Sequence, residues 1–187
     1  MPSRPFVRAI AWAGGVILAL FLPYYFLFRP AEEAPAPRRS FDPGTFVGAR
    51  PKLDAPNLAT ELEVVDAMLG LAEVRPGDFV VDLGSGDGRI LIAAARSLGA
   101  RGLGVEIDPA RIREADANAR AAGVTGRVSF RRGDLFETPL GEADVLTLYL
   151  TQEVNLRLRP RILSQMRAGT RVVSHDFHMG DWRWDQR

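Results

Sequence analysis

Residues 80–90 read Val80-Val81-Asp82-Leu83-Gly84-Ser85-Gly86-Asp87-Gly88-Arg89-Ile90, with three glycines at alternate positions. The apolar run Phe79–Leu83 that leads in is too short for a helix, whereas Ile90, Leu91, Ala94, Ala95 and Leu98 share one helical face. The stretch is therefore a strand, a glycine turn and a helix. Glycine gives the turn positive backbone torsions and lets a ligand approach where a β-carbon would block it. The spacing is G-x-G-x-G, so Gly88 falls one residue too early for the G-x-G-x-x-G of dinucleotide sites, and no G-K-[ST] of a P-loop follows. Asp82 and Asp87 flank the turn where a pyrophosphate would be repelled, and acids at this edge suit a cation instead.

Working outward, Leu58, Leu62, Val65, Met68, Leu69 and Ala72 recur at helical spacing and predict a helix over 57–73 before the turn motif. Strands follow at 102–107, 128–131, 143–150 and 171–175, interleaved with helices at 108–122, opened by Asp108-Pro109, and at 160–167. Alternating strands and helices with short connections give an α/β fold, a Rossmann-like doubly wound and mostly parallel sheet with helices on both faces. Ligands then bind at the carboxyl ends of the strands, where the glycine turn lies.

Two further acids fall on that edge. Glu106 ends the second strand about twenty residues beyond the glycines, where it can accept both hydroxyls of a ribose. Asp134, after the third strand, can accept from an adenine amino group. A ribose, an adenine and a positive charge are combined in S-adenosylmethionine.

DLGSGDGR, GVEIDP and GDLF resemble the successive motifs of the class I S-adenosylmethionine-dependent methyltransferases. The resemblance implies that Gly84, Ser85, Gly86 and Gly88 line the methionine and ribose, that Asp82 faces the methionine, that Glu106 holds the ribose hydroxyls, and that Asp134 with the Leu135 backbone holds adenine. DLGSGDGRI, LYLTQEVNLRLRP and GTRVVSHDF together are similar to a narrower group, the membrane-anchored bacterial relatives of the mitochondrial lysine methyltransferases of ATP synthase c subunit and adenine nucleotide translocase. That group has a proline-rich, aromatic motif before the first helix, of which Asp54 to Thr60 keeps part. The superfamily sheet has seven strands and five are visible here, so the last two are expected to be missing.

The acceptor is expected past the fourth strand, where Glu153 and Asn155 are the catalytic candidates and helix capping is the competing reading. His175 and Asp176 at the end of the fifth strand come second, with a capped strand end as the alternative.

Of 187 residues, 47% are hydrophobic and 25% charged, enough for one core. Basic and acidic residues nearly cancel, 24 against 23, and the Asn/Asp-Pro-Pro-aromatic motif of adenine-amino methyltransferases is absent, so no nucleic-acid acceptor is expected. The chain has no cysteine and only His175 and His178 as imidazoles, so no metal site is expected. Arg157, Arg159 and Arg161 alternate with Leu156, Leu158 and Ile162 and read as a solvated face. Residues 9–28 are uncharged for the length of a hydrocarbon core and predict a transmembrane helix, between a short flank, 1–8, and a proline-rich linker, 29–51; the cofactor-binding domain is 52–187. Because S-adenosylmethionine is cytosolic, the resemblance places that domain on the cytoplasmic side of a single-pass anchor. The expectation is a membrane-tethered methyltransferase acting on a protein lysine, with a small-molecule or lipid-linked acceptor, or an inactive nucleoside-binding module, as alternatives.

Overall fold

A computed structural model describes residues 60–183 and 185, together with Tyr25–Leu27. Strand β1 (Tyr25–Leu27) is followed by helix α1 (Leu62–Leu71), β2 (Phe79–Leu83), α2 (Arg89–Leu98), β3 (Arg101–Glu106), α3 (Pro109–Ala121), β4 (Val128–Arg132), β5 (Val145–Leu148), α4 (Gln152–Gln165) and β6 (Arg171–His175). The six strands form one sheet in the order β1-β6-β5-β2-β3-β4. All pairs are parallel except β1 with β6, which is antiparallel. From β2 the chain winds outward through β3 and β4, then returns to the other side of β2 for β5 and β6. The crevice at the carboxyl ends of β2 and β5 is thus the point where the winding reverses, the place such sheets bind ligands.

Strand alternation sends successive residues to opposite faces, and each face has its own core. Val80, Val145 and Val173 pack under α1 and α2 with Val65, Met68 and Leu91. Val81, Leu83, Leu146, Leu148 and Val172 pack under α4 with Val154, Leu158 and Ile162, joined by Met179 and Trp182 from the segment after β6. β2, at the centre, is buried along all but its first residue, which is why it reads as a continuous apolar run.

Three expectations are corrected. α1 begins at Leu62, because Glu61 is extended (φ −62°, ψ 149°), and a left-handed Glu73 (φ 45°) closes its far end. α4 begins at Gln152, eight residues before the expected start at Pro160. Pro160 lies inside the helix and forgoes one backbone bond, but Val154, Leu158 and Ile162 form a buried stripe at four-residue spacing that outweighs the local preference. Finally, Tyr25–Leu27, the end of the apolar run expected to span a membrane as helix, is a strand paired residue for residue with His175, Ser174 and Val173. Aromatic and apolar side chains favour such pairing, and β6 would otherwise present an open edge. Among the described residues the sheet therefore has six strands, not five. The rest of the 9–28 run, and the 29–51 linker, lie outside the described residues. Among the described residues, no helix is long and apolar enough to cross a membrane.

Candidate functional site

The glycine turn bends through three left-handed residues, Gly84 (φ 79°), Gly86 (φ 52°) and Gly88 (φ 81°). Its N–H groups point inward, into the protein. Gly84 and Ser85 both donate to the Val105 carbonyl (2.8 and 3.1 Å), and Gly88 donates to the Ser85 carbonyl (2.9 Å). Gly86 donates to Glu106 Oε2 (3.0 Å). A phosphate would find these donors already engaged and a carboxylate beside them, which excludes the anion cradle of a dinucleotide site on geometry as well as spacing.

A cleft of about 420 Å³ of empty space opens over this turn, lined among others by Asp82, Gly84, Ser85, Gly86, Arg89 and Tyr149. Three N–H groups fix the Glu106 carboxylate: Ile107 (2.7 Å) and Asp108 (3.0 Å) on Oε1, and Gly86 on Oε2. Its remaining lone pairs suit a pair of hydroxyls. Ser85 Oγ is buried in the cleft wall with no hydrogen-bond partner, an orphan that a polar ligand would satisfy. A Cβ on Gly86 would meet nothing within 4 Å and would project into open space beside the turn.

Asp82 is buried, 2% exposed, and accepts from Thr147 Oγ1 at 2.7 Å. Burial pushes its carboxyl up to about 7, against the Thr147 hydrogen bond that lowers it, with Glu106 and Asp87 adding repulsion. A cationic ligand is what would restore its charge. Asp87 differs. Burial works to raise it, but hydrogen bonds and charge from Arg89 outweigh that and hold it below the usual carboxylate range. Arg89 also donates to the Thr60 carbonyl (2.7 Å), so the pair ties the turn to the segment before α1 and Asp87 offers no free charge to a ligand. The two acids flanking the turn thus have different jobs.

Gly88 is also not where the sequence reading puts it. It is buried, and a Cβ there would lie 2.4 Å from Phe130 Cζ and 3.0 Å from the Ala115 side chain. Its glycine lets α2 start close against α3 and β4. Asp134 and Leu135 follow β4, beyond the cleft-lining residues; Asp134 Oδ1 accepts from the Phe136 N–H (2.7 Å), forming a turn that leaves its second oxygen for a ligand.

On the other side of the cleft, Thr151 caps α4 and accepts from Val154 N–H (3.4 Å). Glu153 is exposed in the first turn. Asn155 is wholly buried, and its amide donates to Ser174 Oγ (3.1 Å) and the Phe177 carbonyl (2.9 Å), binding α4 to the chain leaving β6. The residue at the cleft is Tyr149, just past β5. The His175 ring stacks on it, centroids 4.1 Å apart and planes 27° apart. Asp176 follows in a left-handed conformation (φ 62°) rare outside glycine, with its Oδ1 3.5 Å from His175 Nε2. Burial lowers the His175 pKa, opposed by Asp176 and Glu61. Burial also raises Tyr149, with Asp176 and Glu61 acting in the same direction.

The arginines of α4 lie on its exposed to half-buried face, each with a partner on the surface. Arg157 lies over the Phe136 ring (4.1 Å), Arg159 pairs with Asp181, and Arg161 donates to the Thr138 carbonyl (3.1 Å). Among the described residues, no group of three or more acids and imidazoles could hold a metal. Sequence reasoning missed Tyr149, Thr147 and Arg89; only Tyr149, closing the apolar strand of LYLTQEVN, stood where a signal could be found.

Residues 82–186 match the model of a family described as the ANTKMT methyltransferase domain. The chain is 46% identical over 128 residues to a protein-lysine N-methyltransferase of Saccharolobus islandicus, covering 68% of this chain and 80% of that protein. To the adenine nucleotide translocase lysine N-methyltransferase of Mus musculus it is 32% identical over 132 residues, 71% of this chain but 57% of that one. A solved RNA methyltransferase from Salinibacter ruber, in complex with S-adenosyl-L-homocysteine, superimposes with a TM-score of 0.67 at 56% identity, over 67% of this chain and 82% of that one. With the family model matching more than half of the chain and the fold superimposing on that structure, the chain belongs to the ANTKMT methyltransferase domain family as an S-adenosylmethionine-dependent methyltransferase.

Proposed function

We propose that this enzyme methylates the side-chain amine of a protein lysine. The observation that carries the reading is the 46% identity to a protein-lysine N-methyltransferase over four fifths of that protein's length. When bound, S-adenosylmethionine supplies a methyl on a sulfonium sulfur, whose C–S bond breaks with the electron pair staying on sulfur. The chain's own residues then have to orient the cofactor, align the acceptor and exclude water. Glu106 takes the ribose hydroxyls, Asp82 the methionine end, and Asp134 with Leu135 the adenine. A lysine amine, with a reference pKa of about 10.4, has to shed its proton before its lone pair can attack, and a partly desolvated cleft favours the neutral form.

The name of the Salinibacter structure favours a second reading, RNA as acceptor. Against it stands the near balance of 24 basic and 23 acidic residues. Glu61 and Asp176, which act on Tyr149 beside the cleft, would repel a phosphate backbone.

The test is to incubate the full chain with methyl-labelled S-adenosylmethionine and, separately, total protein and total RNA from the source cells. Methyl-lysine found by peptide mapping is the expected product; label in RNA and none in protein overturns the lysine reading. The uncharged run from residue 9 supports a membrane anchor, and a cytosolic cofactor would put the domain on the cytoplasmic side. With Tyr25–Leu27 docked on β6, such an anchor would end next to the domain, not at the end of a long tether. Membrane fractionation followed by protease protection checks it: release of the full chain by salt alone would refute an anchor.

A further inference from the structure

We propose that Tyr149 is the residue that contacts the acceptor amine, with His175 and Asp176 as the positioning residues that set its ring and select a cationic side chain. This rests on the reading of the acceptor as an amine. Tyr149 stands at the switch point between β5 and β2, in the same cleft wall as Asp82 and Gly84, which face the methionine end in that reading. Tyr149 therefore shares the wall that faces the methionine end in that reading, whereas Glu153 is exposed and the Asn155 amide is engaged in the interior.

The ring does not stand alone. His175 is 4% exposed and lies flat behind it, so the imidazole serves as a fixed backing and not as a solvent-linked base. Asp176 is held in its left-handed conformation by the turn it begins: Phe177 N–H donates to the His175 carbonyl (2.8 Å), and the Phe177 carbonyl accepts from Ser174 Oγ (2.8 Å) and from Asn155 Nδ2 (2.9 Å). Non-glycine residues in this conformation are strained and persist where the surroundings enforce them. Here α4, through the buried Asn155, does the enforcing. Asn155 thus acts on the acceptor side by clamping the turn that presents Asp176.

The charges converge on one chemistry. Asp176, just after β6, and Glu61, at the start of α1, both act electrostatically on Tyr149 and on His175, and Thr60, next to Glu61, lines the cleft together with Tyr149. Carboxylates around an aromatic face attract an alkylammonium, by charge and by the ring quadrupole, and a neutral phenol oxygen can accept a hydrogen bond from the amine N–H and hold its lone pair toward the methyl carbon. As the N–C bond forms and the C–S bond breaks, nitrogen gives the pair and sulfur keeps one; the proton shed beforehand leaves to water.

The experiment is initial-rate formation of methyl-lysine in total source-cell protein by full-length variants, with protein and S-adenosylmethionine concentrations varied separately. Tyr149→Phe is expected to lower kcat about tenfold, with KM for S-adenosylmethionine within about twofold. Asp176→Asn keeps the left-handed turn, which asparagine tolerates, and is expected to raise the apparent KM for the protein acceptor about fivefold while kcat holds. His175→Ala is expected to lose activity and His175→Phe, which keeps a flat ring, to recover it. If methyl-lysine forms but Tyr149→Phe and Asp176→Asn both match wild type within about twofold, the inference fails while the amine reading stands. Label confined to RNA would sink both, and failure of His175→Phe to recover a folded enzyme's activity would remove the stacking role.

Discussion

On the β2–β3 side of the cleft, residues close in sequence converge: Asp82, Gly84, Ser85 and Gly86 lie within five positions, and Glu106 is fixed by the N–H of Gly86 and of its own two successors. On the β5–β6 side the local turn after β6 is held to the rest by contacts distant in sequence. Tyr149 meets His175 across 26 positions of chain, and Asn155 reaches Phe177 across 22. The first side is a backbone device, held by a turn that only glycine can follow. The second is a side-chain device, held by packing between α4 and the chain beyond β6. The difference teaches where each should be fragile: the turn to added atoms, the β5–β6 side to lost hydrogen bonds.

The largest effect is expected at Gly88. A methyl there meets Phe130 at 2.4 Å on a backbone with φ 81°, so Gly88→Ala should cost about 2–5 kcal/mol in stability, seen as a large fall in melting temperature. Gly86→Ala faces open space and should cost only about 1–2 kcal/mol. Equal losses at the two positions would break the distinction between a packing glycine and a cleft glycine.

Next comes Asn155→Ala, which removes both donors to the turn after β6 and should cost about 1–3 kcal/mol in chemical denaturation. Calorimetric affinity for S-adenosylmethionine should stay within about twofold, since that side of the cleft is built separately. A large loss of cofactor affinity would show the two halves to be one unit.

The last effect is a slope. The Asp82 carboxyl is raised to about 7 in the folded chain from an ordinary 3.8, chiefly by burial, so folding favours its protonated form. Its contribution to stability is complete below about 3.8 and is lost as the pH rises through about 7. Thermal melts of the ligand-free chain between pH 4 and pH 7 should therefore decline more steeply in wild type than in Asp82→Asn. Parallel slopes would mean that Asp82 is already ionised when folded.

The parallel sheet and the glycine turn with the acids at its carboxyl edge were legible because their signals are local: apolar runs, turn glycines and acids at strand ends keep their spacing whatever packs on them. α4 was half hidden because Pro160 signals a start locally, while the buried stripe of Val154, Leu158 and Ile162 acts over the whole helix. The inert role of Asp87 depended on Arg89 and Thr60, and the stack of Tyr149 on His175 on two strands pairing in register through β5 and β6; neither leaves a spacing to read. Tyr25–Leu27 illustrates the same limit, since an apolar run carries no mark of whether its end continues a helix or pairs with a distant strand.

The division of labour across the cleft is tested most directly by one paired comparison. Glu106→Gln and Tyr149→Phe are each titrated with S-adenosylmethionine by calorimetry and then assayed for methyl-lysine formation at saturating cofactor. Glu106→Gln should weaken cofactor binding at least about tenfold, and Tyr149→Phe should bind it like wild type yet turn over about tenfold more slowly. If instead Glu106→Gln binds S-adenosylmethionine as tightly as wild type, or Tyr149→Phe loses affinity and keeps its rate, the assignment of the two sides is wrong.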